Sequence, residues 1–181
     1  IAGKDAAIDF AALAAEATTP PAVGADGSGV AWSLADARRR GEEALRGGEI
    51  GAILVAGGQG TRLGFDGPKG MYPVTPVMQK SLFQLHAEKL LGIGNNFGVQ
   101  IPWYIMTSIT NNKQTINYLQ KNNYFGYNHD NVYVFIQEMI PAIDRQGKLI
   151  LDQPDHIFMN PNGHGGTIKA LAESGALSDM K

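Results

Sequence analysis

Residues 50–70 read IGAILVAGGQGTRLGFDGPKG, and the fold turns on this stretch. Ile50, Ala52, Ile53, Leu54, Val55 and Ala56 form a nearly continuous apolar run, too short for an ordinary helix and bounded by glycines. That is the pattern of a strand buried on both faces. A glycine-rich loop follows from Gly57 to Gly70. In an open α/β sheet, ligands sit outside the carboxyl ends of the strands, which is where this loop begins. Residues without side chains let backbone N–H groups come close to a base or a phosphate. Arg62 adds a planar forked donor and Lys69 a flexible point charge, so two different cations can grip a polyphosphate. A nucleoside triphosphate suits that pair.

Two common phosphate motifs fail here. No glycine of the loop is followed by Lys and a hydroxyl residue in the register of a P-loop. Gly58, Gly60 and Gly64 leave one residue too many in the second gap of the dinucleotide fingerprint, so a nicotinamide enzyme stays a distant alternative. The simplest reading is a tight turn made of glycines. The placement of Arg62 and Lys69 argues against it.

Working upstream, Ser33 can start a helix, with Asp36 three residues on as a weaker relative of the capping box. The helix runs through Arg/Glu-rich sequence to about Arg46, where Gly47 and Gly48 can close it. Residues Ile8 to Ala17 read as a short helix, ended by Thr18, Thr19, Pro20 and Pro21. Residues 1–48 are thus a helical arm and residues 49–181 the ligand-binding part.

Downstream, Ser81 and Gln84 make a possible capping box for a helix ending near Gly92. Trp103 to Thr107 fits a second strand. Asn111 to Lys121 fits a helix capped by Thr110, and Val132 to Gln137 a third strand. Alternation at this spacing predicts parallel pairing through crossovers, hence an α/β sheet covered on both sides. Ala142 to Asp144 and Leu149 to Leu151 predict a hairpin about Gln146 and Gly147. Asn160 to Gly166 predicts a polar loop, and Thr167 to Ser174 a helix ended by Gly175.

The 181 residues, 44% of them hydrophobic, suffice for one domain with a real core. A formal net charge of -2 gives no global basic field to favour nucleic acid. With no cysteine, disulfides, thiolate nucleophiles and thiolate zinc sites are excluded, and the cytoplasm is the natural compartment. No apolar run approaches the roughly 20 residues that span a bilayer, so there is no visible membrane device. Oligomeric state is not set by composition. The sequence opens on Ile1 and stops at Lys181 directly after a helix-like stretch, and reads as a fragment.

Gly57 to Gly64 reads GGQGTRLG and continues through Phe65, Asp66, Gly67, Pro68, Lys69 and Gly70. This resembles the signature loop of the UDP-sugar pyrophosphorylases, particularly their UDP-N-acetylhexosamine branch. Two further segments agree in order and spacing. Phe135 to Ala142 (FIQEMIPA) resembles the family's uracil-recognition strand end, and Asn160 to Gly166 (NPNGHGG) its sugar-nucleotide loop. The resemblance covers Arg38 to about Lys181.

The resemblance implies a Rossmann-like nucleotidyltransferase fold, glycosyltransferase-A-like, with a mostly parallel sheet and helices on both faces. It also implies transfer of UMP from UTP to a sugar 1-phosphate, giving UDP-sugar and pyrophosphate. Val55, Ala56, Gly57, Gly58, Gly60 and Thr61 would line the nucleotide. Arg62 and Lys69 would grip the triphosphate and act in catalysis. Gln137 would bond the uracil edge with both donor and acceptor of its amide, which suits N3–H and a neighbouring carbonyl. Gly163 would pack on base or ribose, and His164 would reach the sugar. N-acetylhexosamine members carry Asn-Gly-Gly after this glycine and glucose members His-Gly. His164-Gly165-Gly166 mixes the two and leaves the sugar open. His86, His129 and His156 read as ordinary surface histidines. Magnesium would be required, its main carboxylate ligand and a further lysine lying beyond Lys181. The chain alone would then bind nucleotide weakly and turn over negligibly. A non-catalytic uridine-nucleotide module and a nucleotidyltransferase using another base remain open.

Overall fold

The computed structural model of the chain describes residues 14–18, 24, 28–29 and 32–180. Contacts divide it into two units, Ile1–Glu43 and Ala44–Lys181, and the second holds the sheet. Residues 14–16 are helical, while residues 8–13 of the first predicted helix lie outside the described residues. Helix α1 (Leu34–Arg46) begins as the sequence predicts. The Asp36 amide donates to Ser33 Oγ at 3.0 Å, and that hydroxyl donates to the Asp36 carboxylate at 2.7 Å. Gly48, with φ of 72°, closes the helix.

Three parallel strands, β1 (Ala52–Val55), β2 (Trp103–Thr107) and β3 (Val132–Ile136), pair in the order β1-β2-β3. Ala52 stands opposite Trp103, and Trp103 opposite Val132. Helices α2 (Leu82–Phe97) and α3 (Asn112–Lys121) make the crossovers. Every residue of β2 is buried, and its alternation builds two cores. Trp103 and Ile105 pack with Phe83 and Ala87 of α2 and Leu119 of α3. Tyr104 and Met106 pack with Phe135, with Ala170 and Leu171 of α4 (Thr167–Glu173) and with Ala176 of α5 (Ala176–Asp179). Helices therefore cover both faces of the central strand. The Tyr104 hydroxyl donates to the Asp179 carboxylate at 2.8 Å, and its ring stacks on Tyr133 at 4.9 Å, which ties α5 to the sheet.

Several boundaries differ from the sequence reading. Strand β1 is not buried on both faces: Ala52 and Leu54 pack into the first core, but Ile53 is 46% and Val55 42% exposed. An apolar run records affinity for a cover, not its presence. Helix α2 runs past Gly92 to Phe97 and stops at Gly98, whose φ is 68°. Gly94 keeps its place in the helix because the Val99 carbonyl comes within 2.6 Å of where a Cβ would stand. Helix α3 starts at Asn112, and Thr110 does not cap it; its hydroxyl bonds Ser108 Oγ at 2.9 Å.

The single predicted hairpin is a nested arm. Strand β4 (Met139–Pro141) pairs antiparallel with β7 (Met159–Pro161), and β5 (Leu151–Gln153) with β6 (His156–Ile157). The predicted turn forms its tip, with Ile143 bridged to Leu149, the Asp144 N–H donating to the Lys148 carbonyl at 2.8 Å and Gly147 at φ of 79°, whereas Asn160 and Pro161 belong to a strand, not to a loop. After α3 the chain takes an unforeseen left-handed path, with φ of 45°, 47° and 55° at Asn123, Tyr124 and Phe125. Such residues are costly singly and persist only when packing enforces them. Here Phe125 lies against Tyr118, ring centroids 5.8 Å apart. Among the described residues no helix is long and apolar enough to cross a membrane.

Two substitutions test this core in the full-length protein. Leu119 is fully buried, and Leu119→Ala is expected to cost about 2–5 kcal/mol. A Cβ on Gly70 would stand 2.2 Å from the fully buried Phe83 ring, so Gly70→Ala is expected to cost about 1–3 kcal/mol. Urea unfolding followed by fluorescence of the buried Trp103 measures both.

Candidate functional site

The glycine loop leaves the sheet one bond beyond β1, where the Ala56 N–H donates to the Met106 carbonyl at 2.7 Å. It then folds on itself. The Lys69 N–H donates to the Gly58 carbonyl at 3.0 Å and the Gly60 N–H to the Gly67 carbonyl at 2.8 Å, with Gln59 bridged to Pro68. Thr61–Leu63 form one tight helical turn, ended by Gly64 at φ of 66°. Gly60 is demanded by packing: a Cβ there would meet the Phe65 ring at 2.8 Å. Over Gly58 the backbone is bare, and the Lys69 ammonium lies 3.8 Å from where a Cβ would be. Lys69 and Arg62 are both exposed, and among the described residues neither cation has an ion-pair partner.

Gln137 ends the third strand, its N–H donating to the Thr107 carbonyl at 2.8 Å. It is 5% exposed, so it is not a surface glutamine. Its Nε2 donates to the Gly163 carbonyl at 2.8 Å and to Asn162 Oδ1 at 3.3 Å. The carbonyl can only accept, which fixes the amide's orientation and turns Oε1 toward Gly57, 3.3 Å from a Cβ position there. Both donors are thus already used within the chain, and the acceptor is what Gln137 can offer a ligand.

The second glycine segment is anchored on two sides. Gly163 has φ of 73°, a conformation glycine adopts without penalty. Gly166 lies so close to Asn162 that a Cβ would stand 2.0 Å from its Oδ1. Lys169 of α4 donates to both Glu138 oxygens at 2.8 Å, and that bond holds the Glu138 carboxyl below the usual carboxylate range. The His164–Gly166 turn then leads into α4.

A cleft of about 240 Å³ opens between the glycine loop and α2, lined among others by Val55, Ala56, Gly58, Lys69, His86 and His164. Five of the residues singled out in the sequence therefore meet in one cleft. Gly57, Gln137 and Gly163 are joined through the Gln137 amide. Gly60, Thr61 and Arg62 sit in the distal part of the loop and do not line the cleft.

Two residues escaped the sequence reading. His86 lines the cleft, and partial burial, with the charge of Lys89 second, lowers its pKa, so its ring is neutral near pH 7 and can accept as well as donate. His86 is exposed at the edge of the inward stripe of α2, as a surface histidine would be, and its spacing gives no sign of the cleft. Asn111 is fully buried, and its amide bonds the Ala56 and Gly58 carbonyls. No local pattern announces a bond to so distant a partner. Among the described residues no group of three or more His, Cys, Asp or Glu could hold a metal ion.

Comparisons with known proteins place the chain in a family and a fold. The family model described as UTP–glucose-1-phosphate uridylyltransferase matches residues 33–181. The UDP-N-acetylglucosamine pyrophosphorylase of Saccharomyces cerevisiae is 44% identical over 140 residues, covering 75% of this chain and 29% of the yeast protein. The UDP-N-acetylhexosamine pyrophosphorylase-like protein 1 of Mus musculus is 41% identical over 139 residues, covering 74% of this chain and 27% of its own length. The crystal structure described as a putative UDP-N-acetylglucosamine pyrophosphorylase from Entamoeba histolytica superposes with a TM-score of 0.71 at 38% identity, over 78% of this chain and 37% of that one. The chain thus spans about a third of these relatives or less. By the extent of the family match and by the fold it shares with these structures, the chain belongs to the UTP–glucose-1-phosphate uridylyltransferase family.

Proposed function

We propose that this chain is the uridine-nucleotide-binding part of an enzyme that transfers UMP from UTP to a sugar 1-phosphate, giving UDP-sugar and pyrophosphate. The observation that carries the reading is the Gln137 acceptor turned toward Gly57, beside a glycine loop over which Lys69 lies without an ion-pair partner among the described residues. Uracil presents N3–H, which Oε1 can accept. The bare loop admits the nucleotide, and Lys69 meets its phosphates.

The reaction is an in-line attack by a sugar-phosphate oxygen on the α-phosphorus of UTP. The bond to the β-phosphate breaks and pyrophosphate leaves with the electron pair. Pyrophosphate is a good leaving group, so the protein's work is to align two anions and to neutralise charge growing on the non-bridging oxygens. Lys69 does this from the cleft and Arg62 from the distal turn of the loop. Magnesium, if it accompanies the nucleotide, would supply further neutralisation of phosphate charge. The names of the relatives support an N-acetylhexosamine 1-phosphate as the acceptor, and the cysteine-free composition supports a cytoplasmic setting.

In the full-length protein, Lys69→Ala and Arg62→Ala are each expected to lower turnover by about 10² or more, the scale of removing one preorganised donor. Near-normal rates in both would refute the assignment. Cytosine lacks the N3–H, so CTP is expected to bind about tenfold or more weakly than UTP. Calorimetric titration of both nucleotides decides this, and equal affinities would overturn the Gln137 reading. Given glucose, galactose and N-acetylglucosamine 1-phosphates in turn, the enzyme is expected to favour the last, as measured by pyrophosphate release.

A further inference from the structure

We propose that Asn111 is a wedge that holds the ends of β1 and β2 apart and thereby positions the nucleotide loop. The inference rests on the uridine-nucleotide reading above.

In a parallel ladder a residue donates to the carbonyl one position before its partner and accepts from the N–H one position after it. Ala56 obeys the first half, donating to Met106 at 2.7 Å. The second half would bring the Ser108 N–H to the Ala56 carbonyl. That bond is replaced. The Ser108 N–H donates instead to Asn111 Oδ1 at 2.9 Å, and Asn111 Nδ2 donates to the Ala56 carbonyl at 2.9 Å. A carboxamide has thus been inserted into the ladder as if it were one more peptide group, bridging Ser108 to Ala56 in place of their direct bond. The same Nδ2 lies 3.4 Å from the Gly58 carbonyl.

The orientation of this amide is not ambiguous. A backbone N–H can only donate and the two carbonyls can only accept, so Oδ1 faces Ser108 and Nδ2 faces the loop. Asn111 occupies the position before α3, where such a side chain would ordinarily cap the helix, yet it makes no cap bond. It is fully buried, so an unmet donor there would be costly.

The consequence for the loop follows from peptide planarity. In a trans peptide the C=O and the next N–H point in opposite directions. Drawing the Ala56 carbonyl toward Asn111 aims the Gly57 N–H away from it, and no hydrogen bond within the described residues takes up that N–H. Gly57 is also the residue whose Cα faces Gln137 Oε1 and the Ser108 backbone. Asn111 therefore sets the position of Gly57, at which the Gln137 acceptor is aimed.

The test uses the full-length protein with Asn111→Ser and Asn111→Asp. Serine is too short to bridge both partners and allows the direct Ser108–Ala56 bond to close the gap. Aspartate keeps the acceptor for Ser108 but removes the donor to the loop. For both, the Kd and KM for UTP are expected to rise about tenfold, with the KM for sugar 1-phosphate within about twofold of wild type. Asn111→Ser is expected to keep its urea midpoint while losing affinity, a combination that a merely structural role does not give. Leu119→Ala, the comparison, is expected to lose stability and keep UTP affinity. If Asn111→Asp does not fold, the serine variant decides. UTP affinity within twofold of wild type in the folded variants overturns the wedge alone. A wild-type protein that ignores UTP refutes the functional reading, and this inference with it.

Discussion

Where parallel strands end, their last carbonyls and N–H groups lose the ladder that satisfied them, and a buried group left without a partner costs more than most single contacts return. This chain meets that constraint with side-chain amides. At the end of β1 and β2 it is Asn111, and beyond β3 it is Gln137, which reaches the carbonyl of Gly163. An amide is the side chain best suited to the task, because it carries a donor and an acceptor in the geometry of a peptide. Asn111 pairs the Ala56 carbonyl and the Ser108 N–H where their ladder ends, Gln137 pairs the Gly163 carbonyl, and the two amides hold the two glycine segments in place. The packing of Trp103, Ile105 and Leu119 beneath, and of Gly70 on Phe83, keeps the platform in place.

Charge is used sparingly. The chain is slightly acidic overall, and the glycine loop contributes its cations singly, Lys69 near the cleft and Arg62 further out. Lys169, by contrast, is occupied by Glu138, an exposed pair whose part is to orient the turn before α4 rather than to add much stability. A polyanion entering the cleft therefore meets positive charge that is not already neutralised by neighbouring carboxylates among the described residues.

Much of the fold could be read from the sequence because its signals are local and periodic. The β2 and β3 strands announce themselves as short apolar runs. Ser33 and Ser81 mark helix starts by bonds three residues long, and Gly48 and Gly175 mark helix ends by conformation. The glycine loop and Lys69 stood out as bare backbone with a cation after a strand, Gln137 and His164 through their resemblance to a family, and the structure brings most of them together. What could not be read depends on distance. Nothing near Asn111 says that its partner is 55 residues away, and nothing near Gln137 says that Gly163 and Asn162 have taken both its donors. Gly92 resembled a helix stop because the close approach of the Val99 carbonyl to Gly94, which favours continuation to Gly98, is a property of the folded turn.

Strand β1 lies at one border of the sheet, with Ile53 and Val55 turned outward beside the exposed Ile50. Apolar side chains on a border strand with no further strand partner among the described residues are the ingredients of templated self-association. Handling this polypeptide by itself at high concentration is therefore a colloidal problem before it is an enzymological one: copies can meet border to border, and cloudiness or light scattering would register that encounter sooner than any assay.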